Sequence, residues 1–216
     1  RKLITALIKY VRSSNIEVKE NTSVKFIESY NGKFKRVVTN NGNYEADFCV
    51  LAAGAWSGEI EPIKVFPIKG QMFSFKTKKK GEIPKVLYSK RAYIIPRKDS
   101  NLVVVGATQE NVFFKEGNTI SGLFLLLKGT LETLPYVKDY EIVETWYGFR
   151  PATPDGLPIL GKSDLENLYF ATGHYRNGIL LTPITAKLIA ELIHTGKESA
   201  YLKMYDFSYK RFEIKE

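Results

Sequence analysis

A single cysteine in 216 residues excludes a disulfide framework. Cys49 sits inside Phe48-Cys49-Val50-Leu51, where a thiol reads as a small buried hydrophobe. Histidine is nearly as scarce, at two residues, so no His/Cys grouping of the kind that holds a metal is expected. No apolar run approaches the ~18 residues of a membrane span. No leader of basic residues followed by an apolar stretch opens the chain, so a cytoplasmic protein is expected, without a membrane partner. There is no RNA-recognition signature with interleaved aromatics, no internal repeat and no low-complexity segment.

What is present is a composition able to build a core: 44% hydrophobic, with 13 Tyr and 13 Phe. The net charge is +9. Its densest cluster, Lys76, Lys78, Lys79 and Lys80, precedes Gly81 and reads as a solvated hairpin tip, so nucleic acid is not an expected partner. The chain opens at Arg1 with Leu3, Ile4, Leu7, Ile8 and Val11 already at helical spacing. A sequence that begins inside a helix reads as part of something longer.

The spacing predicts a helix over 1–13 and a short strand at Ile16 and Val18. Val24 to Tyr30 and Lys33 to Thr39 flank Asn31-Gly32, a hairpin signal, and a second turn lies at 40–43. Phe48 to Ala53 reads as a strand buried on both faces. From Val65 the texture changes. Strand-like runs at 65–75, 86–89, 92–97 and 102–106 have no helices between them and predict an antiparallel sheet. A helix is expected over 120–134, a strand over 141–149 and a proline-stiffened loop over 151–160. The expected class is α+β, mixed α/β, in two layers: 1–62 with 150–200, and 63–149 between them, with a tail at 201–216.

Two stretches invite a functional reading. Gly156 to Ser163 matches G-x-x-x-x-G-K-[ST], but the phosphate loop needs a strand before it and a helix after it. Here prolines precede it, a strand follows, and Pro158 removes one N–H donor, so the match is rejected. The second stretch, Gly173 to Leu180, lies between the apolar run 168–172 and a helical run, Thr182 to Thr195. Thr182 is its expected N-cap, Pro183 its first residue and Gly196 its end. A strand, a glycine-bounded turn and a helix present backbone N–H groups at a helix N-terminus, a geometry that suits electron-rich groups.

Five stretches in order resemble one family. They are Phe48 to Ser57, Pro67-Ile68-Lys69-Gly70-Gln71, Tyr93-Ile94-Ile95-Pro96-Arg97, Gly148 to Gly156, and Gly173 to Leu180. The whole resembles the FAD-dependent amino-acid oxidases of the D-amino-acid oxidase superfamily, and within it the glycine-oxidizing branch of thiamine-thiazole synthesis. The resemblance implies a partial FAD-binding domain beside an antiparallel substrate domain. It also implies oxidative deamination of a small amino acid by hydride transfer to flavin, with O2 as reoxidant. Oxidation of sarcosine or a D-amino acid, the oxidase domain of a tRNA-modifying enzyme, and a non-catalytic remnant are the alternatives.

That family also begins with a strand, a G-x-G-x-x-G turn and a helix that hold the FAD pyrophosphate. No G-x-G occurs in these 216 residues. FAD is therefore expected in the full-length enzyme and absent from this chain alone, which is expected to fold without activity. A second copy or a separate N-terminal piece is expected to cover it. By resemblance, Arg150 grips the substrate carboxylate, Tyr93 turns its hydroxyl to the substrate, and Arg176 is a second substrate-side arginine. His174, Tyr175, Arg176, Asn177, Gly178, Ile179 and Leu180 line the flavin. Val24 meets the adenine end through its backbone, and Gly54, Ala55 and Trp56 lie beside the cofactor.

Overall fold

A computed structural model describes residues 2–212. Arg1, and residues 213–216 of the expected tail, lie outside the described residues. The first helix, α1 (Lys2–Arg12), carries its expected stripe, but that stripe is open: Leu3, Ile4, Leu7 and Ile8 are each exposed by more than two-fifths. Strands β1 (Val24–Tyr30) and β2 (Lys33–Thr39) form the predicted hairpin, with Tyr30 opposite Lys33. Asn31 and Gly32 take φ of 49° and 75° in its turn. With β3 (Gly42–Glu45) they make a three-stranded sheet, ordered β1-β2-β3. Ile16 and Val18 form no strand. They pair with no neighbour, and a lone short strand has no ladder to hold it.

The apolar run after residue 47 yields only β4 (Cys49–Leu51), followed by a 3₁₀ turn over Gly54–Trp56 and the short α2 (Ser57–Ile60). Next comes the long β5 (Phe66–Lys76), then β6 (Leu87–Tyr88), β7 (Tyr93–Pro96), β8 (Leu102–Gly106), α3 (Ile120–Thr133) and β9 (Ile142–Ala152). These five strands form one antiparallel sheet, ordered β6-β7-β8-β5-β9. The expectation of an antiparallel layer is met. However, β5 does not pair with β6, so Lys76–Lys80 is a connection between separated strands and not a hairpin tip. Strand β9 also runs further than expected, through Arg150 and Pro151.

Strands β10 (Ile159–Lys162) and β11 (Leu168–Thr172) complete a third sheet, ordered β10-β11-β4, in which β4 runs parallel to β11. Among the described residues the far edge of β4 carries no strand. Leu51 is buried with Phe34, Ile63, Val65, Ile159, Leu168 and Phe170, whereas Phe48 and Val50 are 50% and 40% exposed. The run expected to be buried on both faces is covered on one. Cys49 is half-buried, and desolvation pushes its thiol pKa up to about 11. The phosphate-loop match dissolves as expected: residues 159–162 are strand β10, and Lys162 Nζ donates to Gly196 O at 3.0 Å.

Helix α4 (Gly178–Thr195) packs Leu188, Ile189 and Leu192 against Leu160 and Tyr169, joined by Leu202 of α5 (Ala200–Met204). It begins five residues earlier than its proline predicts. Asn177 is the N-cap and Pro183 lies inside the helix, where its ring removes one intrahelical hydrogen bond. Gly196 ends the helix as expected, at φ 69°. With 18 residues and a mean hydropathy of 1.2, α4 is long and apolar enough to cross a membrane by length and composition alone. That corrects the expectation that no such run exists. Core helices of soluble proteins pass the same test.

Alternation divides the five-stranded sheet into two faces. One carries Phe73, Phe75, Ile94, Val103 and Val105, packed on Leu126 of α3. The other carries Ile68, Gly70, Met72, Gly106, Gly148 and Arg150, by register, and α3 leaves it uncovered. Leu126 is fully buried while Ile120, on the same helix, is 91% exposed. Leu126→Ala is therefore expected to cost about 2–5 kcal/mol in denaturant unfolding, and Ile120→Ala well under 1 kcal/mol. Equal losses would contradict this packing.

Candidate active site

The uncovered sheet face is floored by glycine. Gly70 and Gly148 stand opposite each other on β5 and β9, and Gly106 stands opposite Met72 on β8. A β-carbon at Gly70 would lie 2.5–2.6 Å from the Arg150 guanidinium. One at Gly106 would lie 2.7 Å from both the Tyr93 hydroxyl and Met72 Cε. These glycines let two functional side chains lie flat on the sheet. Arg150 on β9 and Tyr93 on β7 are separated by the two strands between them, but their side chains reach inward on one face, over Gly70 and Gly106. These two glycines stand diagonally across the adjacent strands β5 and β8, about 7–8 Å apart.

Arg150 is half-buried, and Nη1 donates to Thr108 O at 3.1 Å and to Lys69 O at 3.5 Å. No carboxylate lies within ion-pair distance of it among the described residues. The Thr108 carbonyl is itself fixed from behind. Thr108 Oγ1 accepts from Gln71 N at 2.8 Å and donates to Glu110. Gln71 Nε2 donates to Glu110 Oε1 and to Thr119 Oγ1, the N-cap of α3. A cation held by neutral backbone oxygens and lacking a counter-charge is ready for an anion, and its fork suits a carboxylate.

The turn from Gly173 joins this face. Gly173, at φ 76°, faces Thr153 so closely that a β-carbon would lie 2.8 Å from its methyl group. Tyr175 N donates to Pro151 O at 2.8 Å, which ties the turn to the residue after Arg150. His174 Nε2 lies 2.9 Å from Thr185 Oγ1 of α4. Arg176 is exposed, with Cζ 6.0 Å from the Tyr175 ring centroid. Asn177 gives α4 no side-chain cap, so the first amides of Gly178, Ile179 and Leu180 face outward without intrahelical acceptors. Ile179 and Leu180 are 66% and 79% exposed beside them.

The Gly54 segment arrives from the other side. Thr172 Oγ1 donates to Gly54 O at 3.1 Å and lies 2.7 Å from Ser57 Oγ. Gly54 and Gly173 therefore meet beyond the C-terminal ends of the parallel pair β4 and β11, where open α/β sheets bind ligands. Ala55 is buried. The Trp56 ring stacks on Phe114 at 5.2 Å and meets Phe149 edge-on at 6.0 Å. Phe149 alternates with Arg150, so that ring packs on the sheet face opposite the guanidinium. Val24 stands apart, exposed at the start of β1 on the separate three-stranded sheet. Gly70, Gly106, Met72 and Thr108 were not singled out by sequence. The signal available was glycine inside strand-like runs, which marks close approach.

The sequence profile described as FAD dependent oxidoreductase matches residues 1–192. The chain belongs to that family. Among relatives of this FAD-dependent oxidoreductase, the bifunctional protein ThiO/ThiG of Nostoc sp. is 46% identical over 199 residues, covering 91% of this chain and 30% of the relative. Glycine oxidase of Pseudomonas aeruginosa is 35% identical over 191 residues, covering 86% and 52%. The crystal structure of glycine oxidase from Geobacillus kaustophilus superposes with a TM-score of 0.88 at 32% identity, covering 97% of this chain and 57% of that one. The chain thus spans about a third to a little over half of the relatives it matches.

Burial lowers the His174 pKa from its ordinary 6.5. A depressed histidine pKa means that the unfolded chain takes up the proton first. Its contribution is complete above about pH 6.5 and is lost as pH falls through the native value. Thermal midpoints should fall over that window, and His174→Gln should flatten the decline. A His174 imidazole that titrates at or above 6.5 by NMR would contradict the buried placement.

Proposed function

We propose that this chain supplies the substrate side of a flavin-dependent oxidase acting on glycine or a similarly small amino acid. The observation that carries the reading is the half-buried guanidinium of Arg150, unpaired and laid over Gly70. Oxidation of an amino acid at its amine-bearing carbon requires that carbon to be aimed, and a forked grip on the carboxylate fixes angle as well as distance. Tyr93 reaches in from β7, and its hydroxyl over Gly106 is offered to the other end of the ligand. Met72 and Tyr93 crowd the same glycine, which favours a small side chain. A part in thiamine-thiazole synthesis belongs to the same proposal, supported by the relatives named ThiO/ThiG and glycine oxidase.

The residues present fit one end of FAD. The outward amides of Gly178, Ile179 and Leu180, at the positive end of α4, suit a ring system that gains negative charge. Gly54 and Ala55 bring bare backbone to the same crevice. No G-x-G turn exists in this sequence for the pyrophosphate. When bound, the flavin supplies the hydride acceptor, with O2 as the final oxidant. The protein's own part is to hold the carboxylate at Arg150, to keep the amine-bearing carbon over the glycine floor, and to exclude alternative poses with Met72 and Tyr93.

In the flavin-loaded enzyme, Arg150→Met is expected to lower kcat/KM for glycine by roughly 100-fold or more, because a desolvated carboxylate loses its forked partner. Gly70→Ala should raise KM by displacing the same guanidinium. Flavin absorbance should be unchanged in both. A kcat/KM unchanged by Arg150→Met would remove the residue from the site.

These 216 residues alone are expected to elute from gel filtration without bound flavin, because the contacts they offer serve the ring end and not the pyrophosphate. A flavin absorbance band that co-elutes stoichiometrically would refute this.

A further inference from the structure

The excess positive charge of this chain is not spread over its surface. Residues 76–101 hold nine Lys or Arg and two acidic residues, a net of +7 against +9 for all 216 residues. Six of the nine lie on two neighbouring segments at one end of the large sheet: Lys76 at the end of β5 with Lys78, Lys79 and Lys80 after it, and Arg97 and Lys98 before β8. The two acids are already committed. Glu82 accepts from the Tyr140 hydroxyl and, at 3.0 Å, from Lys78 N. Asp99 pairs with Lys2 at 2.7 Å. No ion pair engages Lys80, Arg97 or Lys98 among the described residues.

The two segments are clamped into a cleft. Thr77 N and Oγ1 both donate to Asn101 O, at 2.8 and 2.9 Å, and Asn101 Nδ2 returns a bond to Thr77 O at 3.0 Å. Ile83, 3% exposed, anchors the first segment in the core under α3. Between them lies a cavity of about 300 Å³ whose lining includes Lys80, Arg97, Lys98 and Ser100, with Glu82 its one carboxylate, at the small end of the range for ligand sites. Lys80 and Lys98 share the field of one carboxylate, Asp99; the like charges in excess of it repel one another, and a multiply charged anion relieves that repulsion.

We infer that this cleft is an anion site for a small phosphorylated molecule, separate from the oxidation site. Lysine is a point-charge binder of phosphate and arginine adds a fork. Neither segment, 76–86 nor 97–101, contains an aromatic residue, so neither offers the stacking platform that single-stranded nucleic acid uses. Leu102 at the cleft and Gly106 beneath Tyr93 are four residues apart on β8, about 13 Å at ~3.3 Å per residue. A ligand here leaves the face of Arg150 and Tyr93 open.

The test is calorimetric titration of the purified chain with inorganic pyrophosphate at low, constant ionic strength, with sulfate and an oligonucleotide of about 20 bases as separate arms. It needs neither flavin nor turnover, so its failure leaves the oxidase reading untouched. Saturable pyrophosphate binding is expected, weakened at least about tenfold in a Lys80→Ala/Arg97→Ala/Lys98→Ala variant. It should be unchanged in a Lys187→Ala/Lys197→Ala/Lys203→Ala control of equal charge loss. All six side chains are exposed, and circular dichroism checks folding. Equal weakening in both variants would show a general charge effect and overturn the site, as would absence of saturation. Oligonucleotide binding tighter than pyrophosphate and lost in the first variant would replace the small ligand with a polynucleotide. Sulfate binding as tight as pyrophosphate would reduce the site to an adventitious ion only.

Discussion

A β-carbon that is not there, at Gly70, decides where the guanidinium of Arg150 lies. At 2.5–2.6 Å the two could not coexist. The arginine would have to swing off the sheet, away from the Thr108 and Lys69 carbonyls that hold it. The same device at Gly106 admits the Tyr93 ring. Glycine inside a strand costs roughly 0.5–1 kcal/mol, and this face carries it at Gly70, Gly106 and Gly148. The opposite face offsets that loss. There β5 presents Phe73 and Phe75 to Val103, Val105, Ile94 and Leu126. One side of a single sheet supplies stability, and the other gives up side chains so that a guanidinium and a tyrosine ring lie flat on it.

The remaining parts are fastened to that sheet at points where polar groups must be satisfied. Pro151 has a carbonyl and no N–H, and Tyr175 N takes it at the edge where β9 ends. Thr172 Oγ1 is buried at the end of β11 and serves Gly54 O and Ser57 Oγ together. Unmet hydrogen-bonding groups at these places would be expensive. The bonds that meet them bring the ends of β4, β9 and β11 to one crevice. The Arg150 guanidinium and the helix N-terminus adjoin through backbone chemistry, with no ion pair between them among the described residues.

Much of the fold was legible because its signals are local. The Asn31-Gly32 hairpin, the strands from Val65 onward, the Leu-rich α3 and the Gly196 stop all follow from periodicity or from one residue's backbone preference. What failed was non-local. Pro183 reads as a helix start, but α4 begins at Gly178 because the chain leaving β11 turns at Gly173 and its register there is set by the bond from Tyr175 to Pro151. Ile16 and Val18 have the alternation of a strand and no partner. In the site, Arg150, Tyr93 and the turn from Gly173 came from resemblance, and the structure groups them. It does not group Val24 with them, and it turns the Trp56 ring to the other face. The glycine floor was visible as letters, but its meaning depends on which strands are neighbours.

The exposed apolar surface has the same non-local origin. Leu3, Ile4, Leu7 and Ile8 of α1, Phe48 and Val50 beside β4, and Ile179, Leu180 and Ile184 at the start of α4 are all open. Nothing about these residues is unusual as sequence: a heptad-like stripe, an apolar strand and an apolar helix start each predict burial. Surfaces of this kind invite strand addition or packing, and relatives that run to about twice this length or more have further chain with which to supply it. The contrast with the glycine-floored face is physical. That face is open because glycine replaces side chains beneath a guanidinium that has no ion pair among the described residues. The β4 edge and the α1 stripe are open because backbone groups and apolar side chains lack neighbours among the described residues.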